Sequence, residues 1–224
     1  MPTIVQTKDK MRAYLQAHPK AGPVPPMNRI AVWGKGAKVA AWRITGYVDK
    51  RRQSDQRTPF LVSILFPETL AQVAADIALH EVGVTEHPAG SNSGPRVHQY
   101  QEVTGAYGAP WCASFQSWCF REAAAKMHKR VQLPAVPAYV PSWTAMIRGN
   151  QRGWRRVEAI EATRGCVVTL WGSQHIEMVI SREGRTLHCC GGNTSPVGQV
   201  SNGGEVAHTT RDVSEVTVAG RWVG

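Results

Sequence analysis

One of the five cysteines stands where a helix is predicted to begin. Cys112 follows Pro110 and Trp111, and a proline just before a helical run is typical of a helix start. The positive end of a helix dipole favours the thiolate, which is the nucleophilic form of cysteine. The competing interpretation is that Cys112 is a buried core cysteine, because free cysteines are among the most buried residues.

A cysteine nucleophile needs an imidazole, and the imidazole needs an acceptor that orients it. His175 begins a β-branched run and is predicted to project from one end of a strand, and Asn193 follows the next strand. The chain order Cys, His, Asn, with the cysteine on a helix that faces a sheet, resembles papain-like sites. Cys112, His175 and Asn193 are therefore the predicted catalytic residues.

A longer pattern surrounds these residues. It contains Glu81-Val-Gly83 with Glu86, Gly90-Ser-Asn-Ser-Gly-Pro-Arg-Val97 with Tyr100, Pro110-Trp-Cys-Ala113 with Phe115 and Trp118, and Gly192-Asn-Thr194. The pattern resembles CHAP-type peptidoglycan hydrolases, which are cysteine, histidine-dependent amidohydrolases or peptidases common in bacteriophage endolysins. The resemblance covers about residues 68–200, and His175 follows Cys112 at a separation typical of that family.

The resemblance implies an activity and a fold. The expected fold is α+β, a papain-like CHAP domain with helices packed on an antiparallel sheet. The expected reaction is cleavage of an amide bond in the peptide of bacterial peptidoglycan, by an N-acetylmuramoyl-L-alanine amidase or an endopeptidase. Host lysis by a phage endolysin is the expected setting, and the sequence does not indicate which amide is cut.

Several positions depart from the family pattern. Many relatives carry an acidic residue two places before the asparagine, where this chain has Gly191, so Asn193 alone would orient the histidine. The position two after the histidine is often glycine and is Glu177 here, and the family's Gly-Asp before the first strand is Gly165-Cys166. The acidic loop of calcium-binding relatives is absent, so we expect no structural calcium.

Four further residues are predicted to bind substrate: Ser91, Asn92, Glu86 and Trp111. Each has a simpler interpretation. Asn92 could cap the next turn, Glu86 could form a local salt bridge, and a tryptophan beside an active cysteine is more often part of the core.

The elements that must position these residues follow from hydrophobic periodicity. Helical spacing predicts helices over residues 68–82 and 97–104 and from residue 110 onwards. Residues 131–156 are rich in Pro and Trp and are predicted to be irregular. Strands are predicted over residues 166–171, 175–181, 186–190 and 213–218, with a hairpin turn at Glu183-Gly184. Helices followed by an antiparallel sheet indicate the α+β class.

Charge divides the chain in two. Residues 1–66 hold 12 Lys/Arg and 3 Asp/Glu, whereas residues 67–224 hold 14 and 13. We therefore expect a small, basic, β-rich module at residues 1–66 and a CHAP-like catalytic domain at residues 67–224. The module would concentrate the enzyme on an anionic bacterial envelope.

No apolar run is long enough to span a bilayer, and the first residues are too polar for a secretory signal. We expect a monomer that is made in the host cytoplasm and acts on the wall after release. We also expect no cofactor and no metal. His175-Ile-Glu177 matches the H-x-E of zinc deaminases, but the Pro-Cys-x-x-Cys that completes that signature does not follow.

Two alternatives stay open. The same thiol chemistry would serve an amidase that one bacterium injects into another. A different class is a basic binding protein for nucleic acid or envelope with a degenerate hydrolase domain, because Trp33, Trp42 and Tyr47 alternate with basic residues. Nucleic acid is the less favoured partner, since a wall-hydrolase pattern lies downstream.

Overall fold

The computed structural model describes residues 68–196 and 203–224. Residues Thr69–Gly224 form one compact unit. The basic module predicted at residues 1–66 lies outside the described residues, so that module and its boundary stay predictions. No helix within the described ranges is long and apolar enough to cross a membrane.

The unit belongs to the α+β class, as predicted. Its described residues form four α-helices: α1 (Leu70–His80), α2 (Pro95–Glu102), α3 (Cys112–Lys126) and α4 (Val140–Arg148). They also form six strands: β1 (Trp154–Val157), β2 (Val167–Leu170), β3 (His175–Glu183), β4 (Thr186–Thr194), β5 (Glu205–Asp212) and β6 (Val216–Trp222). All six strands join one antiparallel sheet in the order β1-β6-β2-β3-β4-β5.

Local sequence signals set the helix boundaries. Thr69 begins α1 through a capping box in which its hydroxyl accepts from the backbone N–H of Gln72 and the Gln72 side chain accepts from the backbone N–H of Thr69. Gly83 follows the end of that helix with a positive φ of 94°. Pro95 and Pro141 occupy the first turns of α2 and α4, where a missing backbone N–H costs nothing.

Both faces of the sheet are covered. Ile176 and Met178 of β3 pack with α1, α3 and α4 in the larger core. Val179 of the same strand packs in a smaller core on the other face, with Leu187 and Ala162. Because side chains alternate along a strand, His175 and Glu177 share the face of Val179.

The structure corrects three predicted elements. Residues 131–156 are not irregular throughout, because they contain α4 and β1. Residues Val213–Glu215 form a 3-10 turn, and the strand predicted to start there begins at Val216. The strand β5 was not predicted at all. Its inward positions include Thr209 and Arg211, so it lacks the apolar alternation that marks a half-buried strand.

Candidate active site

Cys112 is the first residue of α3 and is buried. Trp111 occupies the N-cap position and supplies no side-chain cap. The backbone carbonyl of Trp111 accepts from the backbone N–H of Phe115 at 2.8 Å, which starts the helical ladder. The N–H groups of the first turn have no acceptor inside the helix, so their positive ends face the region around the sulfur.

His175 begins β3 directly after a turn of unusual backbone. Trp171, Gly172 and Ser173 all have positive φ angles, of 48°, 69° and 75°. The Gly172 N–H donates to the Thr217 hydroxyl at 2.9 Å, and the Ser173 hydroxyl lies 2.8 Å from that of Thr144. Contacts from β6 and α4 therefore hold the turn that presents the histidine.

The imidazole of His175 is fully buried and has two polar neighbours, a carboxylate and a thiol. Its Nε2 lies 3.3 Å from Glu177 Oε1, and the Cys112 thiol is its other polar neighbour. Neither ring nitrogen makes a hydrogen bond of full directional geometry. Burial lowers the pKa of His175, but Cys112 and Glu177 outweigh burial and raise it to about 9.

At neutral pH the imidazole is therefore protonated beside the Cys112 sulfur. An imidazolium beside a cysteine stabilises the thiolate. The structure thus places two of the three predicted catalytic residues, Cys112 and His175, next to each other, and their catalytic role stays a prediction.

Glu177 is the acceptor that the structure places against His175. Its carboxylate is fully buried and receives three hydrogen bonds from β5. Arg211 donates to Oε1 at 2.6 Å and to Oε2 at 3.1 Å, and the Thr209 hydroxyl donates to Oε2 at 2.6 Å. Burial raises the pKa of Glu177, but His175 and Arg211 outweigh burial and hold it at about 2. The carboxylate is therefore ionised, and the imidazole protonated, between about pH 2 and pH 9.

Glu177 reaches β5 across the intervening strand β4 because Gly191 has no side chain. A Cβ at Gly191 would lie 2.8 Å from Glu177 Cγ and 3.2 Å from its Oε1. Any larger residue at this position would occupy the space of the carboxylate. Gly191 is thus required by the site.

Glu177 is one of four side chains that contact each other in a closed ring. The other three are Trp171, His175 and Arg211. Trp171 stacks on the imidazole of His175 with ring centroids 5.9 Å apart and planes 17° apart. The guanidinium of Arg211 lies 5.0 Å from the centroid of the Trp171 ring on which it packs. Since Arg211 also binds Glu177, each of the four residues contacts two others. The histidine is held by an ion pair on one side and by an aromatic face on another.

Asn193, the third predicted catalytic residue, lies near the end of β4 with a φ of 52°. Its Nδ2 donates to the side-chain oxygen of Asn92 at 3.3 Å. Gln101 in turn donates from Nε2 to the backbone carbonyls of Asn92 and Ala109, at 2.9 and 3.0 Å. Asn92 and Asn193 are therefore tied to the loop before Cys112, and the prediction that Asn193 orients His175 stays a prediction.

The other predicted substrate residues make internal contacts. Trp111 and Glu86 are both buried, and the indole Nε1 donates to Glu86 Oε1 at 2.8 Å. Ser91 donates to the backbone carbonyl of Pro88. The Glu86–Trp111 pair fixes the residue before Cys112, and contact between substrate and any of these side chains stays a prediction.

The sequence contained a signal for Glu177 that the prediction did not use. Compared with the family pattern, this chain has glycine where an acid is common, at Gly191, and an acid where glycine is common, at Glu177. The two departures are complementary, because the structure places Glu177 in the space beside Gly191. Arg211, Thr209 and Trp171 carried no comparable signal.

Within residues 68–196 and 203–224, no group of three or more His, Cys, Asp and Glu side chains could hold a metal ion. Comparison of the chain with protein-family models, with curated proteins and with solved structures finds no match. The functional argument therefore depends on the geometry of the site and on the sequence pattern around it.

Proposed function

We propose that this protein is a thiol hydrolase that cleaves an amide bond in the peptide of bacterial peptidoglycan. The observation that carries the proposal is that the Cys112 thiol and the buried Glu177 carboxylate are both polar neighbours of the His175 imidazole. The substrate class comes from the resemblance of the surrounding sequence to CHAP-type, papain-like wall hydrolases. A phage endolysin that lyses the host is the setting we favour.

In the proposed reaction, the proton of the Cys112 thiol rests on His175 as an imidazolium, and the Cys112 sulfur attacks the carbonyl carbon of the scissile amide. The tetrahedral intermediate collapses as the C–N bond breaks, and the imidazolium gives its proton to the leaving nitrogen. A thioester remains on Cys112. Water then attacks the thioester with His175 as base, and as the C–S bond breaks the carboxylic acid is released and the thiolate–imidazolium pair is restored.

The developing oxyanion is stabilised by backbone N–H groups at the start of α3, including that of Cys112. These groups have no acceptor within the helix, and they lie at its positive end. Glu177 does not exchange a proton in this scheme. It holds the imidazole in place and favours its protonated form, with Arg211 and Thr209 fixing the carboxylate.

The test compares Cys112→Ala with Cys119→Ala on purified peptidoglycan. Both cysteines are buried in α3, but only Cys112 is next to the histidine, so Cys119→Ala is the matched control. We expect turbidity to stay constant with Cys112→Ala and to fall with the control. Mass spectrometry should show new free amino groups without new reducing ends. A fully active Cys112→Ala protein would overturn the proposal, as would new reducing ends.

A further inference from the structure

Trp171 lies beside the candidate site but takes no part in the proposed reaction. Its indole is stacked on the His175 imidazole, with ring planes 17° apart and centroids 5.9 Å apart. Its backbone has a φ of 48°, a conformation that glycine adopts freely and a bulky side chain does not. Tryptophan is thus a costly residue at this position, which indicates that its ring is needed there.

The 3-10 turn Val213–Glu215, which follows β5, holds this indole in place. Glu215 accepts from the Trp171 indole Nε1 through Oε2 at 3.1 Å and from the Asp212 backbone N–H through Oε1 at 2.8 Å. The Trp171 backbone N–H also donates to the Glu215 carbonyl, at 3.3 Å. Because the backbone and the side chain of Trp171 both bind one residue, rotation of the indole would break the side-chain hydrogen bond.

The indole also contacts two positive charges. The imidazolium of His175 is stacked on it, and the guanidinium of Arg211 lies 5.0 Å from the centroid of the same ring. The face of an aromatic ring is the negative part of its quadrupole and attracts a cation within about 6 Å. The Glu215 carboxylate polarises the indole N–H bond and makes this face more negative. The indole therefore favours the protonated form of the imidazole.

The indole and the thiol belong to the cores on the two faces of the sheet. Trp171 packs against the smaller core, which contains Val179 and Leu187, whereas Cys112 is part of the larger core. The indole therefore contacts the imidazole from the side of the sheet opposite to α3. A residue in this place can orient the imidazole without touching a substrate that is bound at the sulfur.

We propose that Trp171 is a positioning residue for His175 and that Glu215 in turn positions Trp171. The indole face orients the imidazole and stabilises its protonated form, and the Glu215 carboxylate fixes the indole. The role in catalysis rests on the proposed function, whereas the effect on the imidazole does not. The titratable and charged side chains that surround the imidazole, directly or through one intervening residue, are Cys112 of α3, Glu177 of β3, Arg211 of β5 and Glu215 of the 3-10 turn.

The first test measures the pKa of His175 by NMR, in the full chain labelled at histidine Cε1 and without substrate. Trp171→Leu removes the aromatic face, so this pKa should fall by about 0.5 or more through the lost cation–π contact. Trp171→Phe retains a face and should keep most of the pKa. Trp222→Leu is the matched control and should leave it unchanged, because Trp222 is also half-buried but packs on Trp154.

The second test measures hydrolysis of soluble wall peptides. Trp171→Phe lacks the N–H that Glu215 accepts, and Glu215→Ala lacks the acceptor, so each should lower kcat about 10-fold with KM unchanged. The double variant Trp171→Phe/Glu215→Ala should lose no more than Glu215→Ala alone, because both changes remove the same hydrogen bond.

The proposal would be overturned by an unchanged pKa of His175 in Trp171→Leu, by an equal fall in Trp222→Leu, or by fully additive losses of kcat in the double variant. Circular dichroism checks the fold. If Trp171→Leu does not fold, the comparison of Trp171→Phe, Glu215→Ala and their double variant decides. An active Cys112→Ala protein would refute the hydrolase proposal alone, since the NMR measurement needs no substrate.

Discussion

Glu177 occupies the space that a side chain at Gly191 would need. A Cβ at position 191 would be 2.8 Å from Glu177 Cγ, so the two positions can hold one carboxylate and one glycine but not two side chains. The family that this sequence resembles commonly has the acid and the glycine in the reverse order.

Exchange of the two residues tests this relationship. Glu177→Gly removes the carboxylate, and Gly191→Glu forces two acids into one space, so each single change should abolish measurable hydrolysis of soluble wall peptides. The double change Glu177→Gly/Gly191→Glu should recover part of the activity, because one carboxylate again lies beside the imidazole. A double variant no more active than either single one would contradict the exchange.

A smaller change at the same place should also be harmful. Gly191→Ala is expected to displace the carboxylate and destabilise the fold by about 1–3 kcal/mol, as overpacking of a core does. Gly149→Ala is the control, since the added Cβ meets only the Gln151 side chain, which can move. Urea unfolding of both proteins measures the difference, and equal stabilities would contradict the close contact.

Glu177→Gln should move the pH profile of hydrolysis. Without the carboxylate charge, the pKa of His175 should fall from about 9 towards its ordinary value of 6.5. The alkaline decline in kcat/KM, where the imidazolium loses its proton, should shift to lower pH, and the rate should drop about 10²-fold or more. Glu183→Gln, at the exposed end of the same strand, should leave the profile unchanged. A lower rate with an unshifted profile would assign Glu177 a structural role only.

The same two groups set the pH range of maximal stability. The pKa of Glu177 is lowered from 4.5 to about 2, so its contribution is present above pH 4.5 and is lost as pH falls towards 2. The pKa of His175 is raised from 6.5 to about 9, so its contribution is present below pH 6.5 and is lost as pH rises through 9. Urea unfolding should therefore show the greatest contribution between pH 4.5 and 6.5. In His175→Ala the alkaline decline should be smaller, and an identical decline would contradict this assignment.

The five cysteines should differ in reactivity. Burial raises the pKa of the Cys119 and Cys189 thiols well above the ordinary value, and that of Cys190 to about 12. Cys112 alone faces an imidazolium, so iodoacetamide should modify it first, with loss of hydrolysis in proportion. Peptide mapping checks the site. Preferential modification of another cysteine, or full activity after modification of Cys112, would count against the thiolate–imidazolium pair.

Removal of residues 1–66 should weaken binding to whole cell walls, because this segment carries a net charge of +9. The described unit has its own core, so the truncated protein should still fold. Sedimentation with purified walls measures the binding, and circular dichroism checks the fold. An unfolded product would place the boundary of the catalytic domain earlier in the chain.

Much of the helical part could be predicted from sequence, because its signals are local. The apolar spacing that ends at Gly83 and the proline before Cys112 both placed helices correctly within a few residues. The sheet was harder to predict where its residues serve the site. Thr209 and Arg211 are buried in β5 because they bind Glu177, so this strand does not show the apolar alternation by which strands are recognised.

The candidate site was predictable only in part for a related reason. A nucleophile at a helix start and a histidine at a strand start are visible as local patterns. The partner of the histidine depends on which side chain crosses β4, and that contact joins three strands that are distant in sequence. Local patterns do not contain that information.

The turn before His175 couples the position of the imidazole to two other elements of the fold. Trp171 and Ser173 hold positive φ angles that non-glycine residues adopt only at a cost of about 1–3 kcal/mol each. The contacts with Thr217 and Thr144 must offset that cost, so the alignment of the imidazole depends thermodynamically on β6 and α4. Loosening either element far from the sulfur would allow the turn to relax, and the histidine would lose its alignment before the protein unfolds.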